Sequence, residues 1–183
     1  MAEIRIITVD DIREFYPQLS NNIDEDKITS SILQAQQNEL ETFLGWYLYN
    51  EFIEDYDGAN FTTSKYISLF SGGTYSYRSN DRYHRGIRHL LAVYSFTRLL
   101  NISNMVLTES GIVDKITEES EPREDFQERH TVRQVRDDSI RLEKDNLDFI
   151  LENIEDYKLY HKRYSTSDYK KTAYKFFKVI PHG

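Results

Sequence analysis

The chain has 183 residues and a net charge of −8, a length that suits one domain with a sizeable core. Charged residues make up 30% of it and hydrophobic residues 39%, a polar composition that is still typical of a folded protein. The absence of cysteine excludes disulfides, thiolate metal sites and cysteine nucleophiles, and no apolar stretch approaches the roughly 20 residues of a membrane span.

Charge is divided unevenly along the sequence. Residues 1–156 carry 16 basic and 30 acidic side chains, which gives this part a net charge of −14. Residues 157–183 carry seven basic side chains and one acidic side chain, a net charge of +6. The sequence therefore predicts two parts, an acidic helical domain over 1–156 and a basic, aromatic C-terminal arm over 157–183.

Helical signals dominate the residues before 71. Thr8 and Asp11 have the spacing of a capping box, which predicts a short helix over Asp10–Tyr16. A second, longer stretch with apolar residues at helical spacing follows. Turn residues predict a bend at Gly45 and the end of a helix at Asp57-Gly58. A further short helix is predicted over Ser64–Phe70.

The segment Ser71–Arg85 is predicted to be a polar, aromatic loop, because it is rich in turn residues and has no apolar period. At about 15 residues it is long for a simple connection, and loops of that length often carry function. A disordered connection is one interpretation. The other is a loop that faces a neighbouring subunit or a channel, with contacts made by Tyr75, Tyr77, Arg78 and Arg82.

The second half of the chain is again mainly helical. A broad apolar face over Ile87–Asn101 predicts the central core helix, and β-branched residues around a glycine predict a small β-hairpin near 105–117. Helix-start residues from Ser120 open a long, half-polar helix that reaches about Asp156. We therefore predict a mainly α fold, a helical bundle in which this long helix projects at its charged end and the C-terminal arm is extended.

No pattern in the sequence predicts catalysis. His84 and His89 are five residues apart and belong to no HExxH motif, so they lack the spacing of helical metal ligands. Asp55 and Asp57 resemble the start of a calcium loop, but the later ligand positions do not fit. Gly72-Gly73 lacks the lysine of a phosphate-binding loop. We therefore expect a protein that is not an enzyme and that needs no metal or cofactor.

The C-terminal arm admits several interpretations. Its lysines and aromatic rings could bind nucleic acid, lie on an anionic membrane, or simply be solvated. We favour a fourth interpretation, in which the arm reaches an acidic neighbour and adds a strand to it, and the acidic body of an identical subunit is an available partner. The contact residues expected for this binding are Tyr169, Tyr174, Phe176, Phe177, Val179 and Ile180.

Four segments, taken in order, carry a resemblance to a known family. They read ITVDDIREFYPQL, ILQAQQNELETFLG, RHLLAVYSFTRLL and VLTESGIVDKITEESEPREDF, and the last leads into the long charged helix. Over about residues 5–155 the chain resembles the head–tail connector proteins of tailed phages, also called adaptor or neck-ring proteins. It is most similar to the short connectors of phages that infect Bacteroides, including the crAss-like group.

The resemblance implies a helical, non-catalytic subunit of a ring, usually of twelve copies, that sits beneath the portal and lets DNA pass without specific binding. It implies a protein made in the host cytoplasm and located in the virion neck, between capsid and tail. The expected partners are further copies of the chain, the portal protein, and the next neck or tail ring protein, with no membrane. An acidic body suits a channel through which DNA slides without sticking.

Two other functions remain open at this stage. The basic arm is compatible with a nucleic-acid-binding protein whose affinity falls steeply with salt. A tail-terminator or head-completion protein would share the structural character of a connector and differ only in its position within the particle.

Overall fold

The computed structural model describes residues 4–17, 19, 23–77, 80–102, 105–108, 111–114 and 125–161, and at 101–114, 125–132 and 161 the description covers the backbone alone. The chain is mainly helical, as predicted. Its elements are α1 (Val9–Phe15), α2 (Glu25–Ala35), a π-helical turn (Gln36–Leu40), α3 (Glu41–Leu44), α4 (Trp46–Glu54), α5 (Ser64–Ser71), β1 (Gly73–Tyr77), β2 (Asn80–His84), α6 (Gly86–Ile102), β3 (Met105–Thr108), β4 (Gly111–Asp114), α7 (Asp125–Glu152) and α8 (Lys158–His161).

Helix α6 forms the centre of the fold, which confirms the predicted core helix. Every residue from Leu90 to Phe96 is buried, as expected for a helix that is covered on all sides. It packs against α1, α2, α5 and α7, and the buried residues of these elements form one continuous core with it. Helices α1, α2, α5 and α7 are thus held together mainly through their contacts with α6.

Local capping sets the helix boundaries near the N-terminus. Thr8 accepts a hydrogen bond from the Asp11 amide, and the Asp11 carboxylate accepts one from the Thr8 amide at 2.6 Å, so the predicted capping box is confirmed. Between α4 and α5, the Asp55 carboxylate accepts bonds from the Thr62 and Thr63 amides, both at 2.9 Å. Asp55 therefore closes the α4–α5 connection with its own side chain.

The π-helical turn between α2 and α3 is tied to the N-terminal segment. Gln36 is buried, and its amide group donates to the Ile4 carbonyl at 2.8 Å and accepts from the Ile6 amide at 3.2 Å. A widened helical turn is a common way to accommodate an inserted residue within a helix. Here it carries a buried polar side chain whose hydrogen bonds hold residues 4–6 against the helix.

The predicted loop over 71–85 is in fact an antiparallel hairpin made of β1 and β2. Along β1 the side chains alternate, with Thr74 and Ser76 exposed and Tyr75 buried. Tyr75 packs edge-on against Phe149 of α7, at 5.4 Å between ring centroids. The prediction was wrong because this short strand has no aliphatic residue, and its alternating pattern is made of tyrosines and small polar residues.

The hairpin predicted near 105–117 is confirmed as the antiparallel pair of β3 and β4. The long helix is also observed, as α7, although its predicted start at Ser120 lies outside the described residues. From Val135 onward α7 is packed rather than projecting, since Val135, Leu142 and Phe149 are buried at seven-residue spacing. The projecting charged end was expected in the first half of this helix. The structure does not describe the side chains of residues 125–132, so that part of the expectation remains a prediction.

The boundary between body and arm is placed too early by the sequence. Tyr157 and Tyr160, which the prediction assigned to the arm, are both buried in the core. Residues Lys158–His161 form the short helix α8, although no helical period was predicted there. The acidic body thus extends at least to Tyr160, because two large rings of the supposed arm complete its core.

Candidate protein-interaction surface

Two large aromatic side chains are exposed together at the start of α4. Trp46, the only tryptophan of the chain, is 61% exposed and Tyr47 is 51% exposed. Gly45, with a φ of 76°, ends α3 and changes the chain direction before α4 begins. Leu48 and Phe52 of α4 then occupy the core-facing positions, one helical turn apart. Trp46 and Tyr47 precede them, outside that face, and remain in solvent.

The two rings form one wall of a small open groove. They pack edge to face at 5.1 Å between ring centroids, a favourable arrangement for an aromatic pair. The groove has a volume of about 180 Å³ and is completed by Glu41, Thr42, Gly45 and Leu159. Leu159 belongs to α8, so the groove lies where the α3–α4 junction meets the last described helix. We call this surface the Trp46 groove.

The helix that carries Leu159 is anchored firmly to the body. The Tyr157 hydroxyl donates to the Lys65 carbonyl at 2.7 Å, and the Tyr157 ring lies 5.9 Å from that of Phe149. Burial raises the pKa of Tyr157, so its hydroxyl stays protonated and keeps this donor. The Lys65 ammonium donates to Glu51 at 2.9 Å and to the Asp156 carbonyl at 3.4 Å. The last described helix, α8, is therefore held in a fixed position beside the Trp46 groove.

Of the residues predicted to form a channel or inter-subunit loop, the three that the structure describes do not share one exposed surface. Tyr75 is buried in the core of its own chain, so the expectation that it faces a neighbour is corrected. Arg82 pairs with Asp148 of α7 at 3.3 Å and lies over the Tyr77 ring at 4.2 Å. Arg78 lies outside the described residues. Arg82 and Tyr77 thus help to hold the hairpin against α7.

The two histidines considered as ligands are packing residues. His84 is buried and stacks on Phe149 at 3.7 Å, with Nδ1 3.4 Å from the Asn146 side-chain oxygen. His89 stacks on Phe15 at 4.2 Å. Burial lowers the pKa of His84, and burial together with nearby arginines, Arg85 foremost, lowers the pKa of His89 to about 4. Both rings are therefore neutral at pH 7.

Neither a metal site nor a membrane span is found in the part of the chain that the structure describes. Among those residues, no group of three or more histidine, aspartate or glutamate side chains is arranged to hold a metal ion. Asp57, considered as a calcium ligand, accepts from the Ala59 and Asn60 amides at 2.8 Å instead. No described helix is both long and apolar enough to cross a bilayer.

The expected binding residues of the arm remain a prediction. Tyr169, Tyr174, Phe176, Phe177, Val179 and Ile180 all lie outside the described residues. Trp46 and Tyr47 were not among the predicted contact residues, although the sequence carries a signal for them. They follow the bend at Gly45 and lie between the core residues Leu44 and Leu48, which are four residues apart. This spacing indicates that the side chains of Trp46 and Tyr47 do not face the core.

The chain belongs to a family of unknown function, DUF6712, whose model matches residues 40–170. The match begins at the end of the π-helical turn and runs past α8, so it includes every residue that lines the Trp46 groove. No curated protein and no solved structure matches the chain.

Proposed function

We propose that this family member is a structural subunit of a phage head–tail connector ring. It bridges the portal protein and the next neck or tail component of the virion, and DNA passes through the ring without specific binding. The proposal combines the resemblance over residues 5–155 with the position of one exposed surface. Ring size, about twelve copies, comes from the resemblance alone.

The observation that carries the proposal is the exposure of Trp46 and Tyr47 on a rigid part of the body. Large aromatic side chains are usually well buried, and an exposed cluster of them marks a binding surface. Tryptophan and tyrosine are also the residues most often found at the energetic centre of protein interfaces. Both side chains sit on the first turn of a helix that is anchored through Leu48 and Phe52, so little order has to be gained on binding.

The negative charge of the body supports a channel-forming role. It argues against direct binding of DNA by the body itself. Residues 1–156 carry a net charge of −14, and such a surface repels the phosphate backbone. A ring that encloses DNA with this charge would let it move without being held. The basic residues are concentrated after Tyr157, where they suit an acidic protein partner.

The same arm favours one alternative, a protein that binds nucleic acid through residues 157–183. Seven basic side chains interleaved with aromatic rings suit phosphate contacts and base stacking. A tail-terminator or head-completion protein remains a third candidate, since it would use the same kind of interaction surface elsewhere in the particle.

The test is the mass of the full chain in solution, measured by light scattering and negative-stain imaging, alone and with the portal protein of the same phage. We expect rings or a portal complex with the native chain. The double variant Trp46→Ala/Tyr47→Ala should lose them, whereas Tyr83→Ala, which removes a 64% exposed ring outside the groove, should not. A monomer that ignores the portal protein and binds DNA with steep salt dependence would replace this proposal with the nucleic-acid alternative.

A further inference from the structure

We propose that the Trp46 groove receives the C-terminal arm of a neighbouring copy, so that each subunit offers a groove to one neighbour and an arm to the other. This inference rests on the proposed self-association and identifies the contact that builds it. The occupant is the segment 174–180, in which Tyr174, Phe176, Phe177, Val179 and Ile180 are interrupted by two lysines.

The chemistry of the groove matches that segment. The apolar or aromatic residues that line it are Trp46, Tyr47 and Leu159, and the acidic residue Glu41 lines it too. A segment with apolar side chains and lysines can place rings against the walls and an ammonium group near the carboxylate or over the indole. Residues 162–183 carry a net charge of +5 and residues 1–161 a net charge of −13, and these opposite charges favour the encounter.

Symmetry determines how far the arm has to reach. The root of the arm follows Leu159, which itself lines the groove, so root and groove occupy the same place on each subunit. In a head-to-tail ring, the distance from one root to the next groove therefore equals the spacing between neighbouring subunits. A compact body of about 160 residues has a radius of gyration near 15 Å, and hence a diameter of about 40 Å.

The length of the arm fits this distance. An extended chain covers about 3.3 Å per residue, so about 12 or 13 residues after His161 span the 40 Å between two grooves. This count ends at residue 173 or 174, immediately before or at the first residue of the apolar segment 174–180. The apolar segment of the arm therefore begins at about the distance of the neighbouring groove, where it can bind.

The same count argues against the groove of the arm's own chain. The residues nearest the root are Lys162, Arg163, Tyr164 and Ser165, and among these four Tyr164 alone has an aromatic ring. The apolar segment could reach its own groove only if the intervening dozen residues folded back on themselves. Binding to a second copy requires no such reversal, and it links subunits in one direction, as a ring needs.

Trp46 reports directly on this contact, because it is the only tryptophan and it is largely exposed in the free body. We would measure acrylamide quenching of its fluorescence in the full chain over a range of concentrations, with light scattering on the same samples. The Stern–Volmer constant should fall by about twofold or more as the chain associates, because the indole becomes covered by the arm.

Matched variants assign the effect to the arm. The full-length variant Phe176→Ala/Phe177→Ala should keep Trp46 accessible at every concentration and should associate about thirtyfold more weakly, the loss typical of hot-spot residues. The control variant Tyr83→Ala should behave as the native chain. A synthetic peptide of residues 169–183, added to the Phe176→Ala/Phe177→Ala variant, should restore the protection, and a peptide of the same composition in scrambled order should not.

The outcomes separate this inference from the proposed ring. Protection of Trp46 in samples that light scattering finds monomeric would show the arm in its own groove and overturn the inference. Rings whose Trp46 stays fully accessible would also overturn it and would leave the ring itself standing. A chain that stays monomeric, but whose Trp46 is protected by the 169–183 peptide, would support the groove–arm contact while removing support for the ring.

Discussion

Substitution of Gly86 by alanine tests a close backbone approach between the end of α5 and the start of α6. Gly86 opens α6 with a φ of 77° and is buried against the end of α5. A β-carbon at this position would overlap the Phe70 carbonyl oxygen and the Gly72 nitrogen, and would lie 2.8 Å from the Ser71 carbonyl carbon. All of these are backbone atoms, so no side chain can rotate away to make room. The ends of the two helices would have to separate.

The cost has two parts that the structure allows us to separate. A left-handed φ costs an alanine about 1–2 kcal/mol, and overpacking against fixed atoms adds about 1–3 kcal/mol. Gly58 is the matched control, because its φ is 100° and nothing lies within 4 Å of a β-carbon there. Gly58→Ala should therefore cost only the conformational strain, and the difference between the two variants should be the cost of the steric overlap.

The assay is urea and thermal unfolding followed by circular dichroism. For a domain of this size each kcal/mol shifts Tm by about 2–4 °C, so Gly86→Ala should lower Tm by about 10 °C and Gly58→Ala by about half of that or less. An insoluble Gly86→Ala beside a soluble Gly58→Ala would agree with this reasoning. Equal free energies of unfolding for the two variants, within about 0.5 kcal/mol, would refute the close approach of α5 and α6.

Three further predictions concern single contacts. Tyr157→Phe should lower the free energy of unfolding by about 1 kcal/mol, because it removes the bond to the Lys65 carbonyl; an unchanged urea midpoint would show that this bond contributes nothing. The pKa of His89 is lowered from 6.5 to about 4 in the folded protein, so the folded state binds the proton more weakly than the unfolded state. The free energy of unfolding should therefore rise by up to about 3 kcal/mol as the pH increases from 4 to 6.5. His89→Gln should flatten that rise in denaturation curves, and an unaltered pH dependence would argue against the shift. Thr8→Ala should cost about 1 kcal/mol in thermal unfolding by opening the capping box with Asp11, and a native Tm would contradict the box.

Features that depend on neighbouring residues in the chain were predicted well. The capping box, the bend at Gly45, the helix over Ser64–Phe70 and the core helix α6 are all signalled within a few turns of sequence. Their determinants are side-chain hydrogen bonds to nearby amides, glycine at a positive φ, and apolar spacing along one helix. Each of these acts locally, so it can be recognised without knowledge of the fold.

Features that depend on distant partners were missed or misplaced. The hairpin over 73–84 is stabilised by Asp148 and Phe149 of α7, which lie more than 60 residues later in the chain. Tyr157 is a core residue only because Lys65 and Phe149 surround it. A tyrosine has both an apolar ring and a polar end, so its sequence position alone does not decide between core and surface.

The sequence by itself determined the helical class, the division of charge and the chemistry of the arm, because composition and local spacing are sufficient for these properties. Only the tertiary structure decided which aromatic rings fill the core and which remain exposed. Of the many rings in this chain, those of Tyr75, Phe149 and Tyr157 found partners far away in sequence, whereas those of Trp46 and Tyr47 stay largely exposed in the part of the chain that the structure describes. Burial depends on the elements that pack against a residue, and that arrangement exists only in the folded chain.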